Sequence, residues 1–183
     1  VKLWEWLLRL FGIYLYTFKM ATFFPHGVLI SIVLLHTVTS RCPGGFTAGY
    51  NAESCYVLMR ASASWAEAQH YCQAFGADLA VIDSQQEQHF VNGMLGPLHA
   101  SIRTQHVWLG GTDLLQEGKF LNPGSLTPLT YFNWAPGEPD DLNGQHCMGM
   151  FKDNNFMWDD QDCEIPNYSL CEREPLSDGQ IVG

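Results

Sequence analysis

The sequence predicts an α+β domain that is held together by disulfide bonds. Segments with helix signals come first, short strand-like segments follow, and a long irregular segment lies between them. All six cysteines lie after residue 41, and none belongs to a Cys-x-x-Cys pair. An even number of cysteines behind a candidate signal segment predicts three disulfides formed in an oxidising compartment, although the spacing alone leaves the pairing open.

The first helix is predicted from a capping box. The hydroxyl of Ser64 can accept a hydrogen bond from the backbone N–H of Glu67, whose carboxylate can reach back to the amide of Ser64. We expect this helix to end near Phe75, because Gly76 supplies a stop. A short apolar segment at 54–59 predicts a strand before it.

Ser84 and Glu87 repeat the capping-box spacing and predict a second helix. Residues 106–110 are apolar enough for a buried strand. Nearer the carboxyl end, short strands are expected around 147–151, 156–158 and 168–172.

The segment 121–145 is rich in Pro, Gly, Asn and Asp and has neither a helical nor a strand period. A loop of this length is uncommon unless it is functional or disordered. Trp134 and the nearby Cys147 indicate that the segment is tied down, which favours a functional loop.

The charge of the chain excludes one class of partner and indicates another. A formal net charge of −10 without a basic face excludes nucleic acid. Clustered carboxylates repel one another unless a cation sits among them, so the acids between 138 and 164 predict either a solvated acidic surface or a hard-cation site. They are Glu138, Asp140, Asp141, Asp153, Asp159, Asp160, Asp162 and Glu164.

Residues 20–40 have the anatomy of a secretory signal peptide, with a short apolar core at 28–35 and small residues up to Ser40. We therefore expect residues 1–19 to be upstream sequence outside the native protein. The mature chain is then secreted, extracellular and free of the membrane, with a flexible tail at 176–183. The alternative is a signal-anchor that stays in the membrane.

Six short motifs, taken in order, resemble those of the C-type lectin-like domain. The resemblance covers residues 41–175 and implies that family's fold, in which two helices flank small antiparallel sheets beside a long calcium-binding loop region. The motifs are Ser64-Trp65-x-x-Ala68, Ala77-Asp78-Leu79-Ala80-Val81-Ile82, Val107-Trp108-Leu109-Gly110, Phe132-Asn133-Trp134, Glu138-Pro139-Asp140 and Trp158-Asp159-Asp160.

The resemblance also implies one cysteine pairing and one metal site. The expected disulfides are Cys42–Cys55, Cys72–Cys171 and Cys147–Cys163. In sugar-binding members, a cis proline sits between two ligands on the long loop, and two more come from the Trp-Asn-Asp motif. The implied calcium (Ca²⁺) ligands here are Glu138, Asp140, Gln145, Asp159 and Asp160. The alternative is an acidic loop that holds no metal.

The expected ligand is a glycan, but three departures leave its type open between mannose and galactose. Gln145 stands where the family usually has glutamate, Asp159 stands where it usually has asparagine, and the segment between Asp140 and Cys147 is one residue shorter. The implied sugar contacts are Glu138, Asp140, Gln145 and Asp159. Because only Gln145 among them can donate a hydrogen bond, we expect weak monovalent affinity.

A second cation site is implied by Asp113, Glu117 and Asp141, with His146 in the place of an acid. Protonation of His146 beside the metal would make a pH switch, and the alternative is an ordinary surface histidine. Asn167-Tyr168-Ser169 is a glycosylation sequon, which folding of the neighbouring Cys171 can hide.

Other function classes find little support. No G-x-S-x-G or H-E-x-x-H motif occurs, so we expect no enzyme. The alternative to a lectin is a calcium-independent module on the same fold that binds a protein or a biomineral. With no collagen-like or coiled-coil neck, a homo-oligomer would form through the surface of the domain itself.

Overall fold

The computed structural model describes residues 42–176. The predictions for residues 1–19, for the signal peptide at 20–40 and for Arg41 lie outside the described residues. So does the predicted tail, apart from Leu176. Within the described part of the chain, no helix is both long and apolar enough to cross a bilayer.

Seven strands form one sheet. Neighbouring strands follow the order β1-β2-β7-β4-β5-β6, and β3 pairs with β7. β4 and β7 are parallel, whereas the other pairs are antiparallel. The strands are β1 (Thr47–Ala48), β2 (Cys55–Ala63), β3 (Asp78–Leu79), β4 (His106–Thr112), β5 (Cys147–Phe151), β6 (Met157–Gln161) and β7 (Asn167–Arg173).

β4 lies in the interior of the sheet, and every residue from His106 to Gly111 is buried. Its two glycines are required by close contacts. A β-carbon at Gly110 would lie 2.6 Å from the carbonyl oxygen of Leu79, and one at Gly111 would collide with the Met148 side chain. A side chain at Gly110 would therefore push the β3 backbone away from β4, and one at Gly111 would force the buried Met148 side chain to repack.

The helices α1 (Trp65–Ala74) and α2 (Gln85–Leu95) begin at the predicted serines. The reciprocal capping box at Ser64 and Glu67 is present, as predicted. At α2 only half of it forms: Ser84 accepts from the backbone of Glu87, but the Glu87 carboxylate accepts from the Asp83 amide at 3.0 Å instead of from Ser84. Glu87 is 5% exposed because its carboxylate turns inward.

Two apolar clusters and three disulfides hold these layers together. One cluster lies under α2 and includes Trp158. The other surrounds α1 and the disulfide between Cys72 and Cys171. The disulfides Cys42–Cys55, Cys72–Cys171 and Cys147–Cys163 are the three pairs that the family resemblance implies, and together they use all six cysteines of the chain.

The predicted α+β class is confirmed, and the strand bounds differ mainly at their ends. The strand expected at 54–59 continues to Ala63, and the one expected at 156–158 is β6, which continues to Gln161. Because Asp159 and Asp160 therefore lie inside a regular strand, their backbone is fixed by pairing with β5. Asp160 contacts the long loop from this strand, whereas Asp159 contacts His106 in β4.

Candidate metal centre

The long loop between β4 and β5 is docked on the start of β6. No helix or regular strand interrupts residues 121–145, in agreement with the prediction. The Ala135 amide donates to the Trp158 carbonyl at 2.7 Å, and the Trp158 amide donates to the Asn133 carbonyl at 2.9 Å. The Trp134 ring packs edge-on against Trp158. These contacts place the loop segment that follows, 138–141, next to Asp160 in β6.

Three carboxylates meet there. Glu138 and Asp140 flank Pro139, and the peptide bond between Glu138 and Pro139 is cis. One carboxylate oxygen of each acid lies within 4.8 Å of the other and of an Asp160 carboxylate oxygen. Asp160 is buried and the backbone amides of the loop hold it in place. The amide of Asp140 donates to its Oδ1 at 3.1 Å, and the amide of Asp141 donates to its Oδ2 at 2.8 Å. The loop backbone and the strand therefore orient one another.

The electrostatics of this cluster favour a cation. Burial, a hydrogen bond with Asp160 and the charges of Asp140, Asp160 and Asp159 raise the pKa of Glu138 to about 7. A shift of this direction means that an additional negative charge is costly at this point. A divalent ion among the carboxylates would reverse that cost.

Asp159 lies beside the three-carboxylate set without joining it. Its Oδ2 accepts from His106 Nε2 at 2.8 Å and from Gln161 Nε2 at 3.2 Å. Its Oδ1 is buried and has no hydrogen-bond partner in the described part of the chain. Burial is the main reason that the pKa of Asp159 is raised. A buried carboxylate oxygen without a partner is expensive.

Gln145 is half-buried at the other end of the loop. The backbone of His146, which follows it, donates to the Gln161 carbonyl at 3.1 Å, so the loop returns to β6 at this point. The set of predicted ligands is thus Glu138, Asp140 and Asp160 in one group, with Asp159 and Gln145 on adjoining segments. The three converging carboxylates offer oxygen donors, which suit calcium, whereas Asp159 and Gln145 stay predicted ligands.

A second cluster forms from Asp113, Glu117 and His146. His146 Nδ1 lies 3.1 Å from Asp113 Oδ1 and 3.3 Å from Glu117 Oε2. The pKa of the exposed Glu117 is raised by partial desolvation and by the charges of Asp113 and Asp141. Two of the expected auxiliary ligands, Asp113 and Glu117, are therefore neighbours, and an imidazole nitrogen faces both acids. The third, Asp141, is not part of this group.

Asn167 is the asparagine of the predicted glycosylation sequon. It lies in β7 and is 2% exposed, and its Nδ2, the atom that would carry a glycan, is buried. Its Oδ1 accepts from the His106 amide at 3.3 Å. The sequon is therefore inaccessible in the folded domain, because strand pairing turns its asparagine inward.

Sequence reasoning missed two buried polar groups. His106 opens β4 and contacts Asp159, which is 53 positions away, so no local spacing could reveal the pair. The second group is Tyr56, Glu87 and Glu172, in which the tyrosine hydroxyl contacts both carboxylates. Burial of Glu87 raises its pKa to about 7. No local sequence signal marks this group, because its three residues are far apart in the chain and the capping position of Glu87 predicts a carboxylate that turns back to Ser84.

Comparison with known proteins gives consistent matches over the same part of the chain. The family model described as "Lectin C-type domain" matches residues 61–173. Perlucin from Haliotis laevigata is 36% identical over 137 residues, which are 74% of this chain and 84% of that protein. The galactose-specific lectin nattectin from Thalassophryne nattereri is 29% identical over 161 residues, which are 85% of this chain and 95% of that protein.

Solved structures agree with the sequence relatives. The carbohydrate-recognition domain of the mouse scavenger receptor C-type lectin superimposes with a TM-score of 0.65 at 25% identity, covering 74% of this chain and 98% of that one. A calcium-independent type II antifreeze protein also gives a TM-score of 0.65, at 27% identity, covering 77% of this chain and 100% of that one. The fold therefore occurs both in a carbohydrate-recognition domain and in a calcium-independent antifreeze protein.

Proposed function

The chain belongs to the C-type lectin family, and from that premise we propose that it is a secreted lectin that binds glycans through a calcium ion. The ion would be held by the principal cluster, which we define as Glu138, Asp140, Gln145, Asp159 and Asp160. Relatives of this chain include carbohydrate-binding proteins. The sequence contains neither a G-x-S-x-G nor an H-E-x-x-H motif.

One observation carries the proposal. The carboxylates of Glu138, Asp140 and Asp160 converge within 4.8 Å of one another. Among residues 42–176, every ion pair is made by a histidine, and none involves these three acids. Like charges that converge without an internal cation favour binding of an external one.

The residues of the principal cluster would also select the sugar. Calcium, when bound, offers open coordination positions to two neighbouring hydroxyl groups of a sugar ring. Glu138, Asp140 and Asp159 would accept hydrogen bonds from those hydroxyls, and Gln145 is the side chain that can donate one. Three acceptors and one donor leave some sugar oxygens without donors, so the affinity of a single site should be low. The choice between mannose-type and galactose-type ligands stays open on this donor set.

Retention on sugar resins tests the proposal. Wild-type protein loaded in calcium should stay on a mannose or galactose resin and elute with a calcium chelator. Glu138→Gln and Asp160→Asn should pass through, because each removes a calcium ligand. Glu164→Gln is the matched control, since it neutralises an exposed acid outside the principal cluster. Binding that survives the chelator would overturn calcium dependence.

A calcium-independent module that binds a protein or a mineral surface is the second candidate. The observation that favours it is the similarity to the calcium-independent type II antifreeze protein, at a TM-score of 0.65 and 27% identity. Under this alternative, calcium has no effect on binding or on stability, and Glu138→Gln behaves as the wild type does.

Secretion is proposed from two features together. All six cysteines are paired, which fits an oxidising compartment. The sequence at 20–40 has the pattern of a cleaved signal. N-terminal sequencing of the secreted protein should find a start near Arg41, and a start before Met20 would contradict the proposed signal peptide.

A further inference from the structure

We propose that Asp113, Glu117 and His146 form a second cation site that takes a divalent transition metal, with zinc as its probe, in preference to calcium. We call these three residues the histidine cluster. The inference goes beyond the proposed function, because it concerns a different set of side chains and does not require the principal cluster to bind calcium.

The distances in the histidine cluster fit a small cation. His146 Nδ1 lies 3.1 Å from Asp113 Oδ1 and 3.3 Å from Glu117 Oε2, and the three ligand atoms all lie within 4.8 Å of one another. Adjacent ligands of a tetrahedral zinc ion, at bonds of roughly 2.0–2.2 Å, are about 3.4 Å apart. A ring nitrogen carries at most one hydrogen, yet this one faces two carboxylate oxygens. Modest adjustments would place all three atoms around one ion.

The backbone holds the two chain segments of the histidine cluster together. The Asp113 amide donates to the His146 carbonyl at 3.2 Å, and the Thr112 hydroxyl donates to the same carbonyl at 2.8 Å. The Asp113 side chain is 1% exposed, and its Oδ2 accepts from the Gly118 amide at 2.8 Å. One carboxylate oxygen is thereby fixed, and the other is left facing His146. Such outer contacts preorganise a metal ligand.

The ligand atoms of the histidine cluster favour zinc over calcium. Calcium takes oxygen ligands, so an imidazole nitrogen in the cluster is a poor substitute for a carboxylate. Zinc and its neighbours bind imidazole well and accept carboxylates beside it. All six cysteines are in disulfides, so no thiol in this chain competes for the metal.

The alternative interpretation is an internal ion pair, in which a protonated His146 is itself the cation for both acids. The ion pair and the metal site respond differently when metal is added. An ion pair is indifferent to zinc, whereas a metal site gives a saturable binding event that depends on all three side chains.

Calorimetric titration decides between them. The protein used is the full chain carrying Glu138→Gln and Asp140→Asn, so that the principal cluster does not contribute. In that background zinc should bind at one site, and His146→Ala should weaken it by at least about tenfold. Glu117→Gln should also weaken it; because Glu117 is exposed, this second variant is expected to fold. His146→Asp should lose zinc and gain calcium, since it restores an all-oxygen set.

His99→Ala is the matched control. His99 Nε2 lies 3.0 Å from Asp153 Oδ1, so the two form a histidine–aspartate pair of similar distance, and no second acid among residues 42–176 pairs with His99. It should leave zinc binding unchanged. The cobalt(II) complex should show a visible spectrum that His146→Ala abolishes.

Three results would overturn the proposal: no zinc binding, equal loss in His99→Ala, or calcium binding at the histidine cluster as tight as zinc. Failure of the principal cluster to bind calcium is a separate result, because that cluster is disabled in this background.

Discussion

His106 Nε2 lies 2.8 Å from Asp159 Oδ2, and both side chains are more than nine-tenths buried. The contact joins β4 to β6. It fixes one oxygen of Asp159 and leaves Oδ1 buried without a partner in the described residues. The orientation of a candidate ligand is therefore set by a residue that lies outside the ligand set.

The first prediction concerns this pair. His106→Leu should lower the free energy of unfolding by about 3 kcal/mol, because it leaves a buried acid without its partner. His106→Gln should lose less, since its amide can donate to Asp159. Urea unfolding measures the difference. His99→Leu is the control: its pair with Asp153 is exposed, and its loss should cost less than about 1 kcal/mol. Equal costs for His106→Leu and His99→Leu would contradict the prediction.

A second prediction concerns pH and the buried Glu87. Its pKa is raised from 4.5 to about 7 in the folded state, mainly by burial. Between these values the folded protein holds more protons than the unfolded one, so stability falls as pH rises from about 4.5 through 7. Glu87→Gln mimics the protonated form. It should match the wild type near pH 4 and exceed it above pH 8, by up to about 3 kcal/mol.

Denaturant unfolding across this pH range measures that difference. Glu164→Gln, which changes an exposed acid, should follow the wild-type profile. A constant difference between Glu87→Gln and wild type at every pH would show that the Glu87 carboxyl does not hold a proton in the fold.

The third prediction concerns sugar selection at Asp140. Its Oδ1 accepts from the Leu142 amide at 2.9 Å, a bond that the oxygen of an asparagine can keep. Asp140→Asn should therefore preserve the loop and add a hydrogen-bond donor beside the ion. Mannose-type binding should rise about tenfold, while calcium affinity falls slightly because one negative charge is lost.

Calorimetry at saturating calcium checks this prediction. Glu164→Gln again serves as the control for removal of one acidic charge. If mannose binding by folded, calcium-loaded Asp140→Asn is unchanged or weaker, Asp140 does not select the sugar, and the calcium-independent alternative gains weight.

How far the sequence predicts the structure differs between its elements. Ser64 and Glu67 predict the start of α1 because a capping box is a local signal, and the Ser84 cap likewise places α2. A β-carbon at Gly110 or Gly111 would collide with residues that are distant in the sequence, so the need for glycine at these positions is visible only in the folded structure.

The site shows the same division. Two motifs, one at 138–140 and one at 158–160, predict Glu138, Asp140 and Asp160 as ligands, and the structure brings their carboxylates together. Burial of Asn167 and the contact of His106 with Asp159 both depend on strand pairing between distant segments. Spacing along the chain carries no information about such pairing, and the disulfide pattern followed from family resemblance instead.

Thermal unfolding with and without calcium tests most directly whether the carboxylates of Glu138, Asp140 and Asp160 hold the ion. Calcium at about 100 times its Kd stabilises a folded protein by about 2.7 kcal/mol, so Tm should rise by more than about 5 °C and return when a chelator is added. Asp160→Asn should remove most of this rise, whereas Glu164→Gln should retain it. A wild-type Tm that is indifferent to both calcium and chelator would contradict a calcium site at these residues.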